Sequence, residues 1–261
     1  MSEIKSFYNL QNLVYKGESN PISKSIATIN SRIIKEAFLW TYFLELFDLI
    51  PNYKKKIDYI ERDIEVLEAG CGCGTISKYL SPFAKKVFAF DNSDEGIKIA
   101  KRLNDNFDNI YHFCADGLDV SSIKEIKNKK FDFILLRNYH PLCREVFFGK
   151  DHIKYINFID SYYKLLKPSG ILIVSHAPLA GLRFKDLPRI YKSNFIGTYV
   201  PNFLIISLLL FRYNFKISSL LSSLMTKLMS KFYKNQYLFS ILRKSKRPPS
   251  GDLLSRDSGK Y

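Results

Sequence analysis

The sequence of 261 residues has few cysteines and no long apolar run. Cys71 and Cys73 form a Cys-Gly-Cys arrangement, shorter than the CxxC spacing of zinc sites, and no His/Cys cluster supplies further ligands. This pattern predicts reduced thiols and no metal site. The longest apolar run is the nine residues 203–211, whereas a membrane-spanning helix needs roughly 20. The first residues lack a signal-peptide pattern, so we predict a cytoplasmic protein.

Basic residues outnumber acidic residues, and the excess lies in the last third of the chain. The formal net charge is +15, and residues 182–261, with 15 Lys and Arg against 3 Asp and Glu, carry +12 of it. This charge indicates an anionic substrate, nucleic acid or an anionic membrane surface, although a solvated basic face would have the same composition. Aromatic residues do not alternate with the basic residues as a stacking platform for single strands requires, which argues against nucleic acid.

Apolar periodicity divides the chain into three parts. Helical spacing at 22–50 predicts one or two helices in an N-terminal arm and cap over residues 1–60. Short apolar strands alternate with helical segments over 61–244, which predicts a parallel sheet with right-handed crossovers. A helical insertion is expected at about 182–235 within this domain. Residues 245–261 have no apolar pattern, and we expect them to be disordered.

The predicted fold class is α/β, Rossmann-like, with a seven-stranded mostly parallel sheet, flanking helices and a helical cap. Asn92, followed by Glu95 three residues later, is predicted to cap the helix after the second strand. The seven strands are predicted at 65–69, 87–91, 109–114, 131–136, 171–175, 214–219 and 237–244.

The most informative segment is the turn after the first predicted strand, Gly70-Cys71-Gly72-Cys73-Gly74, with Glu68 just before it. A strand that turns through glycines into a helix lets the backbone approach a nucleotide closely, because glycine has no side chain. Asp91 ends the second predicted strand and Asp116 follows the third. Because parallel strands end at one edge of the sheet, these acids are expected to line a common ligand site there.

These segments resemble class I S-adenosylmethionine-dependent methyltransferases, whose first motif is acid-x-Gly-x-Gly-x-Gly. The resemblance covers residues 60–178 well and 213–244 loosely. It implies an enzyme that uses S-adenosylmethionine and releases S-adenosylhomocysteine. It also implies that Glu68 meets the cofactor ammonium group, directly or through water, that Asp91 holds the ribose, and that Asp116 contacts the adenine amino group. The remaining predicted cofactor-binding residues are Gly70, Cys71, Gly72, Asn92, Gly117 and Arg137.

A nicotinamide-dinucleotide Rossmann fold is the main alternative. Its GxGxxG fingerprint needs a third glycine three residues after Gly72, where this sequence has Thr75. The third glycine is instead Gly74, and the acid before the first glycine suits a ligand with a cationic amino acid end. The spacing therefore favours the methyltransferase.

Two histidines are candidates for a general base. His140 follows the fourth predicted strand and His176 follows the fifth, so both are expected to face the carboxyl edge of the sheet. The pKa of a free histidine, near neutrality, suits proton removal, although either could be a hydrogen-bonded loop residue. His112 and His152 are interpreted as structural. A base is needed only for a protonated acceptor, because alignment and water exclusion carry most of the catalysis.

The predicted acceptor is the oxygen or nitrogen of a small molecule that is anionic or linked to a lipid or sugar. The alternatives are a protein or RNA acceptor, and a non-enzymatic cofactor-binding partner subunit. Asn138-Tyr139-His140-Pro141 lacks the double proline of the Asn/Asp-Pro-Pro-aromatic motif, which argues against amino methylation of nucleic-acid bases. The apolar stripe at 220–232 predicts a lid, a peripheral membrane contact or a core-facing helix. The sequence leaves the oligomeric state open.

Overall fold

The computed structural model describes residues 63–137, 152–176, 186–199 and 238–245, together with isolated helical positions between 217 and 225. The predicted N-terminal cap, His140 and nearly all of the predicted basic tail lie outside these residues. The three domain boundaries therefore stay predictions.

Seven strands form one sheet, and four α-helices lie within the described ranges. The strands are β1 (Glu65–Ala69), β2 (Lys86–Asp91), β3 (Ile110–Cys114), β4 (Phe131–Leu136), β5 (Leu166–His176), β6 (Phe195–Tyr199) and β7 (Leu238–Arg243). The helices are α1 (Thr75–Leu80), α2 (Asp94–Leu103), α3 (His152–Lys164) and α4 (Asp186–Tyr191). Short 3₁₀ turns occupy Ser81–Phe83, Gly117–Ser122, Lys124–Ile126 and Lys192–Asn194.

The sheet order is β3-β2-β1-β4-β5-β7-β6. The pairs from β3 through to β5 are parallel, whereas β7 runs antiparallel to both β5 and β6. The predicted seven-stranded, mostly parallel α/β sheet is confirmed. Because β1 lies centrally and the order reverses beside it, the carboxyl ends of β1, β2 and β4 meet where open α/β sheets bind ligands.

Alternation along the strands gives the sheet two apolar faces, as a sheet covered on both sides requires. Leu67 and Ala69 of β1 face the cluster that contains α3, whereas Val66 faces the cluster that contains Ile76 of α1 and Ile97 of α2. Glu68 has the same parity as Val66, so it lies under α1. The residues that surround Glu68 on this face therefore determine the hydrogen bonds and the pKa of its carboxyl group.

The sixth strand was predicted in the wrong place. Sequence analysis put it at 214–219, but Ile217 is helical and β6 is Phe195–Tyr199. The segment is held by antiparallel pairing with β7, more than 35 residues further along the chain. Local periodicity carries no signal for such a distant pairing, so the sequence pattern places this segment within the predicted helical insertion.

Strand β5 begins five residues before its predicted start. The segment Lys167-Pro168-Ser169-Gly170 is an irregularity within the strand, because Leu166 pairs with Phe131 and Ile171 pairs with Phe133. Ser169 has a φ of 66° there. The chain thus bulges without leaving the sheet.

Within the part of the chain that the structure describes, no helix is both long and apolar enough to cross a membrane.

Candidate active site

The glycine loop (residues 70–74) leaves the end of β1 in a left-handed conformation. Gly70, Gly72 and Gly74 have φ values of 81°, 57° and 73°. Residues with a Cβ adopt such values only at a cost, which explains the alternating glycines. The backbone N–H groups of Gly70 and Cys71 donate to the Phe90 carbonyl at 2.8 and 2.9 Å. The loop is therefore tied to the end of β2.

Asp91, the last residue of β2, holds the loop by its side chain. Its Oδ2 accepts from the Gly72 N–H at 2.9 Å, and its Oδ1 accepts from the Ser93 N–H at 3.0 Å. Burial raises the pKa of the Asp91 carboxyl, and the two backbone donors oppose this shift. Each carboxylate oxygen can accept a further hydrogen bond. Asp91 can therefore fix the loop and also accept from a ligand hydroxyl.

Helix α2 begins one residue later than the predicted cap implies. Ser93, not Asn92, is the N-cap, and its Oγ accepts from the Gly96 N–H at 3.1 Å. The capping prediction was therefore wrong by one position. Asn92 remains exposed between the end of β2 and the helix.

Glu68 is fully buried under α1. Ser77 Oγ donates to its Oε2, and Arg137 Nη1 lies 3.6 Å from its Oε1. Its Oε1 receives no hydrogen bond from any residue that the structure describes. Burial raises the pKa of the Glu68 carboxyl to about 7, and Arg137 limits the rise. The sequence analysis did not identify Ser77 as a site residue. A polar residue on the inward face of α1 is the sequence signal that could have identified it.

Arg137 follows β4 and is buried beside Glu68. Its backbone N–H donates to the Ala69 carbonyl at 2.9 Å, which extends the pairing of β1 with β4 by one step. The guanidinium thus faces the acid at the end of the neighbouring strand. The predicted contact between Arg137 and the cofactor stays a prediction.

Cys71 is buried in the glycine loop, and its thiol lies 3.7 Å from the Gly72 carbonyl. Burial raises the pKa of this thiol well above its usual value, so the thiol stays neutral. Among the residues described, no group of three or more His, Cys, Asp or Glu side chains could hold a metal ion.

Asp116 lies beside the end of β2, because the Ala115 N–H donates to the Asp91 carbonyl at 3.0 Å. Its exposed side chain accepts from the Leu118 N–H at 3.0 Å and caps the turn Gly117–Ser122. The Gly117 carbonyl accepts from the Tyr162 hydroxyl at 2.8 Å. The structure therefore brings Asp91, Asp116 and Gly117 to one edge of the sheet.

Neither candidate base has a side chain within the described part of the structure. His140 lies outside the described residues, and His176 ends β5 with only its backbone described, opposite Leu238 of β7. His112 lies within β3, and burial lowers its pKa to about 4. It is therefore a neutral histidine behind the glycine loop, in keeping with its structural interpretation.

A groove of about 540 Å³ runs along the outer edge of β3, where Lys101, Tyr111 and Glu125 line it. Neither Glu68, Asp91 nor Asp116 lines it, so we do not assign the groove to the cofactor.

Residues 41–190 match the family model described as a methyltransferase domain. The match covers more than half of the sequence, and the chain belongs to this family. It is a class I S-adenosylmethionine-dependent methyltransferase, and S-adenosylmethionine is its cofactor. The nicotinamide alternative and the non-enzymatic alternative are thereby set aside.

Solved structures with a similar fold include other methyltransferases. The N-methyltransferase NodS from Bradyrhizobium japonicum is 16% identical, with a TM-score of 0.46, covering 70% of this chain and 87% of that one. An rRNA methylase from Streptococcus thermophilus is 12% identical, with a TM-score of 0.46, covering 72% and 91%. A TehB-like methyltransferase from Corynebacterium glutamicum is 18% identical, with a TM-score of 0.45, covering 70% and 82%. No match was found among curated proteins.

The described residues fit S-adenosylmethionine on three observations. The glycine loop presents backbone without side chains at the end of β1. Glu68 Oε1 is buried and accepts no hydrogen bond from the described residues, with Arg137 Nη1 3.6 Å away, which suits an ammonium group arriving directly or through water. Asp91 keeps acceptor capacity for hydroxyls.

Proposed function

We propose that this methyltransferase binds its cofactor over the glycine loop and methylates an oxygen or nitrogen of a small acceptor, which is anionic or linked to a lipid or sugar. In this proposal Glu68 receives the ammonium group, Asp91 the ribose hydroxyls and Asp116 the adenine amino group. The convergence of these three acids at the carboxyl ends of β1, β2 and β3 supports the cofactor half of the proposal. Gly70, Cys71, Gly72, Asn92 and Gly117 contribute backbone around them.

The orientation of the cofactor follows from charge. Glu68 and Arg137 form a buried pair, so the ionised acid does not stand alone in a medium of low dielectric. An incoming ammonium group would share the Glu68 carboxylate with the guanidinium. This arrangement would hold the amino acid end of the cofactor at β1 while Asp91 and Asp116 hold the nucleoside end.

When bound, S-adenosylmethionine supplies a methyl group that its sulfonium already makes electrophilic. The protein must align the acceptor with this methyl group and exclude water, and positioning accounts for most of the rate enhancement. We propose His140, or alternatively His176, as the base that removes a proton from a protonated acceptor. His140 follows β4, which lies next to β1, and His176 is the last residue of β5, one strand further from β1.

The basic last third of the chain supports an anionic acceptor. Residues 182–261 carry +12 of the formal net charge of +15, and long-range attraction would concentrate an anionic ligand nearby. A peripheral contact with an anionic membrane would serve a lipid-linked acceptor in the same way. Cytoplasmic localisation belongs to this proposal.

The test is transfer of labelled methyl from S-adenosylmethionine by the purified full chain in a fractionated host extract. We expect label in the small-metabolite, saccharide or lipid fraction. Label in the protein or RNA fraction would overturn the proposed acceptor class. Salt-sensitive binding of RNA by the protein would then identify RNA as the acceptor. The Asp91→Ala variant serves as the control for transfer that does not depend on the site.

A further inference from the structure

We propose that Asn104, at the carboxyl end of α2, is a positioning residue for the glycine loop, and that it acts together with Asp91 at the end of β2. The inference rests on the proposed cofactor site, because it concerns the conformation of the loop that would cradle the cofactor.

Asn104 caps the carboxyl end of α2 and is only 4% exposed. Its side-chain Nδ2 donates to the Gly74 carbonyl at 3.1 Å and to the Ala100 carbonyl at 2.9 Å. Both hydrogens of the amide are therefore used. The reversed amide would place Oδ1 against two carbonyl oxygens, so the contacts themselves fix the orientation.

Gly74 is packed closely on the side that faces Asn104. A Cβ at this position would lie 2.6 Å from Asn104 Nδ2, 2.7 Å from His112 Nε2 and 3.0 Å from the Ala100 Cβ. The residue also has a positive φ and precedes α1 as its N-cap. The last residue of the loop is thus seated between α2 and β3, and glycine is what allows this approach.

The Gly74 carbonyl accepts from two donors. The Lys78 N–H of the first turn of α1 is 3.3 Å away, and Asn104 Nδ2 is nearer at 3.1 Å. Without the Asn104 amide, the Gly74 carbonyl would accept only the longer hydrogen bond from the Lys78 N–H. The end of the loop would then be free to tilt away from α2.

The end of β2, which leads into α2, holds the loop through a different group. Asp91, three residues before the helix begins, accepts from the Gly72 N–H. The strand that leads into α2 therefore engages an N–H of the loop, and the residue that caps the end of α2 engages a carbonyl of the loop. The two contacts lie two residues apart in the loop, so the path of the backbone between them is fixed.

Asn109 provides a matched control for a merely structural role. Its Nδ2 also bridges two carbonyls, those of Ser81 at 2.9 Å and Ala84 at 2.8 Å, and its Oδ1 accepts from Ser81 Oγ at 2.6 Å. These carbonyls belong to the turn after α1, at the amino edge of the sheet. Loss of the Asn109 hydrogen bonds should lower the stability of the fold, as loss of the Asn104 hydrogen bonds does. It should not change the conformation of the glycine loop.

The experiment compares Asn104→Ala and Asn109→Ala in the full chain. The midpoint of urea unfolding gives stability, and calorimetric titration with S-adenosylhomocysteine gives affinity at a temperature where each variant is folded. We expect Asn104→Ala to weaken binding about five- to tenfold, the equivalent of one hydrogen bond. Asn109→Ala should stay within about twofold of the parent. If Asn104→Ala does not fold, Asn104→Ser, which retains one donor, takes its place with a smaller expected loss.

Parent-like affinity in the Asn104 variant would overturn the inference, as would an equal loss in both variants. Asp91→Ala, titrated in parallel, separates this failure from failure of the proposed site. Weak binding in Asp91→Ala together with parent-like binding in Asn104→Ala would refute only the positioning role. Parent-like binding in both would refute the cofactor site and the positioning role together.

Discussion

At the carboxyl edge of the sheet, Glu68 is fully buried, with an oxygen that no described donor reaches and a pKa that burial raises to about 7. At the amino edge, Asp132 is only partly buried and its Oδ2 accepts from both the Glu65 N–H and Lys167 Nζ at 2.8 Å. Lys167 also lies 3.8 Å from the Glu65 carboxylate. The same sheet therefore carries acids in two very different settings.

This comparison of the two edges distinguishes charged groups that stabilise the fold from charged groups that are available to bind a ligand. The amino edge pairs its charges near solvent, where desolvation is small and each pair adds modestly to stability. The carboxyl edge buries an acid against Arg137, and no described residue donates a hydrogen bond to its Oε1; burying such an acid costs free energy. Perturbed, incompletely satisfied acids of this kind are typical of functional sites.

The largest effect is expected at the candidate base. His140→Ala should lower the methyl-transfer rate by about 100-fold or more if the acceptor must lose a proton, because general-base catalysis contributes that much. The rate is measured as the initial rate of methyl transfer to the acceptor fraction that the labelling experiment identifies. The affinity for S-adenosylhomocysteine, measured by calorimetric titration, should not change. His152→Ala is the control. A rate within about threefold of the parent would exclude His140 as the base and shift the assignment to His176.

The next effect is expected at the end of β2. Asp91→Ala should weaken binding of S-adenosylhomocysteine by more than about tenfold, because it removes the acceptor of the Gly72 N–H and the acceptor that we propose for the ribose hydroxyls. Calorimetric titration measures the change. Asp132→Ala, at the amino edge, should bind like the parent. Equal affinities for the two variants would contradict the distinction between the edges.

A smaller effect concerns pH. The folded pKa of Glu68 is raised to about 7, so the acid becomes protonated as pH falls below 7 and then attracts an ammonium group less. Affinity for S-adenosylhomocysteine should therefore rise from pH 5.5 to pH 7 and level off above it, with a slope of at most tenfold per pH unit. Titrations across this range provide the measurement.

Glu68→Gln should remove most of this pH dependence, because the amide does not titrate. Arg137 keeps its charge throughout, and Asp91, whose pKa burial also raises, accounts for any slope that remains in the variant. An unchanged slope in Glu68→Gln would show that Glu68 does not control binding.

The smallest effect is expected at the amino edge. Lys167→Met removes the cation that lies 2.8 Å from Asp132, at sites that are partly exposed. We expect a loss of about 1 kcal/mol in the free energy of unfolding and no change in cofactor affinity. Urea unfolding and calorimetric titration give the two values. A matching loss of affinity would mean that the amino edge also serves the ligand.

The sequence predicted most of the sheet and the place of the candidate site because both depend on local patterns. Apolar runs marked β1 to β4 and β7, and the glycine spacing marked the loop. The missed features are contacts between distant segments. Asn104 meets Gly74 across 30 residues, and β6 is defined by pairing with β7. The burial of Glu68 under α1 required the packing of Ser77 and Arg137 around it, which no periodicity encodes.

Backbone hydrogen–deuterium exchange with and without S-adenosylhomocysteine tests the assignment of the ligand to the carboxyl edge most directly. We predict slower exchange on binding in the glycine loop and in residues 91–93 and 116–118, with unchanged exchange at 81–85 and 166–170 of the amino edge. Protection confined to the amino edge, or binding without any protection of the glycine loop, would contradict the account.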